Sequence, residues 1–214
     1  IVDMLLGGEL DAAWICGLPY IERKGSMSLV AVPLYIGVPL YRSYLIVNKD
    51  DTATQSWKDL PKGVFAFSDR DSNSGWLYPQ WAMQQAGVDV KTHFRKTFLA
   101  GAHRNVVEAV AEGLADAGSV DGYVWDTLNR DNPSLTTRTR IVEKSETFGF
   151  PPIVARNELP DVDKQTLRKA LIDMASDSEG RRLLYRLNLD GFVEVEPSLY
   201  DNIAEMSRSL GRMP

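Results

Sequence analysis

The 214-residue sequence holds a single cysteine, Cys16, and only two histidines, His93 and His103. One thiol excludes an internal disulfide and any cysteine-based metal cluster. Two histidines with no H-E-x-x-H spacing, no activated nucleophile and no glycine-rich dinucleotide loop leave few catalytic constellations. No stretch has the length and purity of a membrane-spanning helix, and no basic-then-apolar segment opens the chain, so it reads as a mature chain or a fragment. No run of Lys or Arg is long enough to track a phosphate backbone and the net charge is -5, which disfavours nucleic acid as a partner. Internal repeats and low-complexity linkers are also lacking.

Hydrophobic residues make up 44% of the chain and charged residues 25%, enough apolar surface for a sizeable core. The length suits one large α/β domain or two lobes of roughly 100 residues each. An acidic protein still binds an anion where backbone N–H groups set the local field.

Residues 1–8 read as the end of a helix stopped by Gly7-Gly8, and 11–15 as a short buried strand. Residues 28–32, 44–47 and 64–67 read as strands, bounded by Pro33, Pro39, Asp50-Asp51 and Pro61-Lys62-Gly63. Helices are expected over 75–85 and 102–114, the second with Val106, Val107, Val110 and Leu114 on one apolar face, followed by a strand over 115–120. Residues 141–144 and 153–155 look extended, and 162–174, 178–187 and 198–210 helical. The alternation of strand and helix argues for parallel sheets covered on both faces. Two extended crossings, near 44–50 and 142–152, read as a two-strand hinge. They divide the chain into one lobe of residues 1–48 plus 147–214 and a second of residues 49–146.

The most informative segment is Ser68-Asp69-Arg70-Asp71-Ser72-Asn73-Ser74-Gly75-Trp76-Leu77-Tyr78-Pro79, between an apolar strand and a helix. A helix amino terminus presents unpaired N–H groups and partial positive charge, so amides and hydroxyls of Ser72, Asn73, Ser74 and Gly75 can surround an oxyanion. The same residues also suit an ordinary N-cap.

Ser72-Asn73-Ser74-Gly75 resembles the Ser-Thr-Ser-Gly signature of the phosphonate/phosphite-binding proteins of ABC importers, with Asn in place of Thr. Gly8-Glu9-Leu10-Asp11-Ala12-Ala13-Trp14 looks like that family's G-x-x-D-x-A strand entry, followed by Gly17-Leu18-Pro19-Tyr20. Leu40-Tyr41-Arg42-Ser43-Tyr44 resembles its crossing strand. Gly101-Ala102-His103, Glu112-Gly113 and Ala115-Asp116-Ala117-Gly118-Ser119-Val120-Asp121 continue the likeness over almost the whole chain.

The resemblance implies an α/β, two-lobed type 2 periplasmic-binding-protein fold with a two-strand hinge, lacking the usual first strand-helix unit. It places Ser72, Asn73, Ser74 and Gly75 on the oxyanion, with Tyr41 facing them from the other lobe and His103 reaching the anion from the next helix. His103 would donate a hydrogen bond and, if protonated, add charge assistance; the alternative is a partly exposed histidine at a helix start. Asp121 matches a cleft carboxylate, useful only where the ligand keeps a proton or an amine; otherwise it caps a helix beginning near Gly122. His93 matches nothing and reads as structural or exposed.

The aminoalkylphosphonate binders of the family carry an acidic residue before the second-crossing proline, where this chain reads Phe148-Gly149-Phe150-Pro151-Pro152. A plain anion is favoured over an aminophosphonate. Trp57, Trp76, Trp81 and Trp125 read as core or cleft-edge residues rather than a cation cage. Arg42 and Arg104 read as exposed, and Tyr20 and Tyr35 as core or cleft wall.

The resemblance implies a solute-binding component of an ABC importer that captures phosphite, phosphate or a short alkylphosphonate between its lobes. No cofactor, metal or catalytic residue is expected. The partners would be the oxyanion and an ABC permease, the state a monomer and the location periplasmic or extracytoplasmic. The alternative is a ligand-sensing domain of a receptor or kinase.

Overall fold

Val64-Phe65-Ala66-Phe67 is apolar at every position and buried on both faces, the signature of an inner strand. Around such runs the chain, a computed structural model that describes residues 1–213, arranges two sheets and their helices. In order come α1 (Val2–Leu6), β1 (Ala12–Trp14), α2 (Gly17–Glu22), β2 (Met27–Leu34), β3 (Leu40–Asn48) and β4 (Val64–Phe67). A π-helical turn, Asn73–Leu77, leads into α3 (Tyr78–Gln85). Then follow α4 (Val90–His93), β5 (Lys96–Leu99), α5 (His103–Ala111), β6 (Ala117–Asp121), α6 (Gly122–Asp131) and α7 (Pro133–Thr136). The chain ends with β7 (Thr139–Gly149), β8 (Ile153–Arg156), α8 (Asp161–Asp173), α9 (Ser178–Leu187), β9 (Gly191–Val193) and α10 (Asp201–Ser209).

Contacts group Ile1–Tyr41 with Phe148–Arg208 as a first unit and Arg42–Thr147 with Ser209–Arg212 as a second. All of β3 beyond Tyr41 therefore belongs with the second unit, where the sequence reading had put residues up to 48 in the first.

In the first unit the strand order is β1-β8-β2-β9. β1 and β2 flank α2 as a strand-helix-strand unit, but β8, from the returning chain, inserts between them and pairs antiparallel with both. The expectation of parallel sheets fails here because the middle strand arrives from the opposite direction. β2 pairs with β8 as far as Ala31 and with β9 over Val32, Pro33 and Leu34. Pro33 thus lies inside the strand rather than bounding it, where β2 has a single neighbour and a missing N–H is tolerated. Phe148, Phe150, Tyr200 and Ile203 are fully buried in this unit. The Tyr200 hydroxyl donates to the Phe150 carbonyl at 2.8 Å.

In the second unit the order is β5-β4-β6-β3-β7. β5, β4 and β6 are parallel, whereas β3 runs antiparallel to β6. One face buries Tyr44, Ile46, Val120 and Ala66 against Val106, Val107 and Val110 of α5; each valine or isoleucine there contributes about 1.5–3 kcal/mol by leaving water. Leu114 does not join them: α5 ends at Ala111, Gly113 turns the chain at φ 73°, and Leu114 is 69% exposed. On the opposite face Phe65 and Phe67 pack at 4.8 Å, with Trp76 at 4.9 Å from Phe67.

Candidate functional site

The loop after β4 is closed by its own short side chains. Ser72 N–H donates to the Asp69 carbonyl at 3.2 Å, and the Asp69 carboxylate accepts Asp71 N–H at 3.0 Å. Ser72, extended at φ -82°, is the N-cap, and its Oγ accepts Gly75 N–H at 2.9 Å. Leu77 N–H then reaches the Ser72 carbonyl and Tyr78 N–H that of Asn73, five residues back instead of four. The expected helix over 75–85 therefore opens in a wider turn. Ser74 N–H meets no acceptor among the described residues.

Gly75 is required by close approach. A Cβ there would lie 2.0 Å from Ser68 Oγ and 2.9 Å from His103 Cε1. Ser68 N–H donates to the Gly75 carbonyl at 3.1 Å, which holds the two strands of the loop at that distance.

His103 is the first residue of α5 and retains some exposure, but both ring nitrogens are turned onto protein. Asp121 N–H donates to Nδ1 at 3.1 Å, and Nε2 lies 3.2 Å from Ser72 Oγ. Nδ1 must therefore carry a lone pair, which puts the proton of the neutral ring on Nε2 and makes it a donor to Ser72. Burial pushes the His103 pKa down to about 4. The ring is neutral at pH 7, so the charge assistance anticipated for a protonated histidine does not arise there.

Ser72 Oγ now accepts two hydrogen bonds, from Gly75 N–H and His103 Nε2. Its own hydrogen is left to donate elsewhere.

Asp121 ends β6 and is 4% exposed. Its Oδ1 accepts Tyr123 N–H at 2.8 Å and Val124 N–H at 3.4 Å, so it caps α6 as one of its two readings held. Burial, with the nearby Asp126 carboxylate adding to it, raises its pKa to about 7 against the pull of those two bonds. A group that caps a helix with one oxygen thus also sits between donor and acceptor character at neutral pH.

Ser72, Asn73, Ser74, Gly75, His103 and Asp121 are brought together in the second unit. Tyr41 lies in the first, buried against Phe148 and Phe150 at centroid distances of 6.1 and 5.9 Å. His93 is structural, with Nε2 2.8 Å from the Leu60 carbonyl. Trp57 packs on Phe65 and Tyr78, Trp81 on Tyr78, and Trp125 on Tyr44. Arg70 stacks over Trp76 at 4.9 Å. Arg42 is exposed, although its guanidinium donates to the Ser145 carbonyl, and Arg104 is exposed. Tyr20 packs edge-on against Tyr200 at 5.1 Å and Tyr35 lies 6.3 Å from Phe150. Two serines that sequence reasoning passed over, Ser43 and Ser119, are fully buried and donate to the Ser74 carbonyl at 2.7 and 2.8 Å. Their signal was a single serine among mostly buried neighbours in each of two strands.

Comparison with known proteins gives the same direction. Residues 1–200 match the family model described as ABC transporter, phosphonate, periplasmic substrate-binding protein. The probable ABC transporter phosphite binding protein PhnD1 of Prochlorococcus marinus is 26% identical over 96% of this chain and 73% of its own length. The phosphate-import protein PhnD of Mycolicibacterium smegmatis is 28% identical over 60% of this chain and 42% of its own. Among solved structures, a binding protein component of an ABC phosphonate transporter from Pseudomonas aeruginosa superposes with a TM-score of 0.88, covering 97% of this chain and 70% of that one at 24% identity. PhnD1 in complex with methylphosphonate gives 0.87, covering 99% and 82%, also at 24% identity. These two likenesses establish an α/β fold with two sheets of that type. The match over residues 1–200 goes further: this chain belongs to the periplasmic substrate-binding proteins of ABC phosphonate transporters, a family of solute binders rather than enzymes.

Proposed function

We propose that this chain binds a small phosphorus oxyanion, such as phosphite, phosphate or a short alkylphosphonate, at the turn that opens α3, and delivers it to an ABC permease in the periplasm. The observation that carries this reading is the Ser72 hydroxyl. With both lone pairs taken by Gly75 N–H and His103 Nε2, it is an obligate donor beside the unaccepted N–H group of Ser74. Converging donors at a helix mouth suit an anion.

Asp121 narrows the choice. A carboxyl group with a pKa near 7 can donate to an anionic oxygen when protonated, or accept the proton of a hydrogen-oxyanion when ionised. Either mode favours phosphorus oxyanions, which titrate in the same range, over sulfate, which keeps no proton there. Residues 148–152 include no Asp or Glu, so that stretch supplies no carboxylate for a ligand amine. The phosphite-binding relative and the methylphosphonate-bound neighbour support the same ligand class.

Isothermal titration with phosphite, phosphate, methylphosphonate and sulfate tests the reading. Binding of at least one phosphorus oxyanion, with sulfate weaker, is expected. Failure of all three phosphorus ligands would overturn it.

A further inference from the structure

We infer that Ser43 and Ser119 are positioning residues that make the Ser72 hydroxyl a fixed donor by locking the Ser74–Gly75 peptide, an inference that rests on the oxyanion reading of this site. Ser43 lies on β3 and Ser119 on β6, antiparallel neighbours on which Leu45 faces Ser119 and Ser43 faces Asp121. Alternation along the strands puts both serines on the face beneath the π-helical turn. Both are fully buried, and both hydroxyls donate to one acceptor, the Ser74 carbonyl, at 2.7 and 2.8 Å.

The Ser74 carbonyl and Gly75 N–H are opposite ends of one planar trans peptide. Holding the oxygen down toward the sheet therefore aims the N–H up, where it meets Ser72 Oγ at 2.9 Å. That bond fills one lone pair of Ser72 and His103 Nε2 fills the other. If the peptide rotated, Ser72 Oγ would regain a lone pair, and its hydrogen would no longer be the only contact it can offer an incoming oxygen. Ser43 is itself held, since its N–H donates to Ser145 Oγ at 2.8 Å. The chain of control thus runs from two strands of the sheet, through one peptide plane, to the polarity of one hydroxyl.

The arrangement is redundant. The two serine oxygens are also within hydrogen-bond distance of each other at 2.9 Å; each hydroxyl has one hydrogen to give, and either alone, at 2.7 or 2.8 Å, satisfies the carbonyl. Loss of both leaves a buried carbonyl without a hydroxyl donor and the peptide without its anchor. The effect on binding is therefore synergistic, unlike that of two independent packing changes.

The test is titration calorimetry with phosphite and methylphosphonate on the wild type, Ser43→Ala, Ser119→Ala and the double variant, with amide hydrogen exchange of Gly75 followed by NMR. Each single variant is expected to weaken binding less than about threefold and to keep the Gly75 amide protected. The double variant should weaken it by about thirtyfold or more and lose that protection. A double effect equal to the product of the singles, or lost affinity with Gly75 still protected, would overturn the inference. Should the double variant not fold, Ser43→Ala/Ser119→Cys keeps a weaker donor in place and must fall between single and double. A wild type that binds no phosphorus oxyanion defeats the functional reading, whereas Gly75 exchange still decides whether the serines lock the peptide.

Discussion

The imidazole of His103 accepts a hydrogen bond from the backbone N–H of Asp121 at 3.1 Å, so its Nδ1 cannot take a proton without opposing that donor. With its pKa depressed by burial to about 4 against an ordinary 6.5, the ring contributes stability that is complete above about 6.5 and is lost as pH falls through about 4. An NMR titration should find His103 neutral at pH 5.5, and ligand affinity should show no gain from this residue between pH 7 and 5. A His103 that titrates near 6.5 contradicts the geometry.

Asp121 has the opposite sign. Its folded pKa of about 7 exceeds the ordinary 3.8, so its contribution to stability is full below about 4 and is lost as pH rises through 7. Asp121→Asn keeps an oxygen to cap α6 and should gain stability relative to the wild type on going from pH 5 to pH 8.5, by roughly 3 kcal/mol at most. The ratio of variant to wild-type affinity for phosphite should rise over the same range, because the ionised carboxylate repels a dianion. A flat ratio between pH 6 and 8.5 would show that Asp121 does not meet the ligand.

Gly75→Ala should damage the site from within. Its Cβ would sit 2.0 Å from Ser68 Oγ, forcing the loop apart. A loss of about 1–3 kcal/mol in chemical denaturation is expected from overpacking of this kind, together with loss of oxyanion binding.

Ser72→Ala and Ser74→Ala should each reduce oxyanion affinity by about 1.5–3 kcal/mol, the range for a hydrogen bond to a charged group. Calorimetry on both variants checks this. Unchanged affinity in both means that the ligand binds elsewhere.

In the first unit Tyr200→Phe removes only the hydroxyl that donates to the Phe150 carbonyl. The expected cost is about 1 kcal/mol of stability in a urea titration, with no change in ligand affinity.

Much of this fold was legible because its strongest signals are local. The run from Val64 to Phe67, the apolar face of α5 and the amphipathic α9 each declare themselves within a dozen residues. β5 and β9 did not: β5 is an edge strand of which only Phe98 is partly buried, and β9 has only three residues. The direction of the first unit's strands was hidden for a different reason. It depends on where β8 inserts, and no window of sequence around β1 or β2 carries that information. At the candidate site, the cluster of short polar residues from Ser68 to Gly75 is visible to inspection. The roles of its neighbours are not, since whether His103 is charged depends on the backbone of Asp121 arriving at Nδ1. Ser43 and Ser119 carry ordinary hydroxyls, and only the third dimension reveals that they share one acceptor.

The insertion of β8 between β1 and β2 also sets an order of assembly. Residues 12–14 and 27–31 acquire their common neighbour only from residues 153–156, more than 120 positions later, whereas nearly all of the second unit comes from the continuous stretch between them. During synthesis the amino-terminal strands leave the ribosome long before the segment that joins them. They lack that shared neighbour while the intervening stretch emerges, and strand edges left unpaired in that interval favour aggregation.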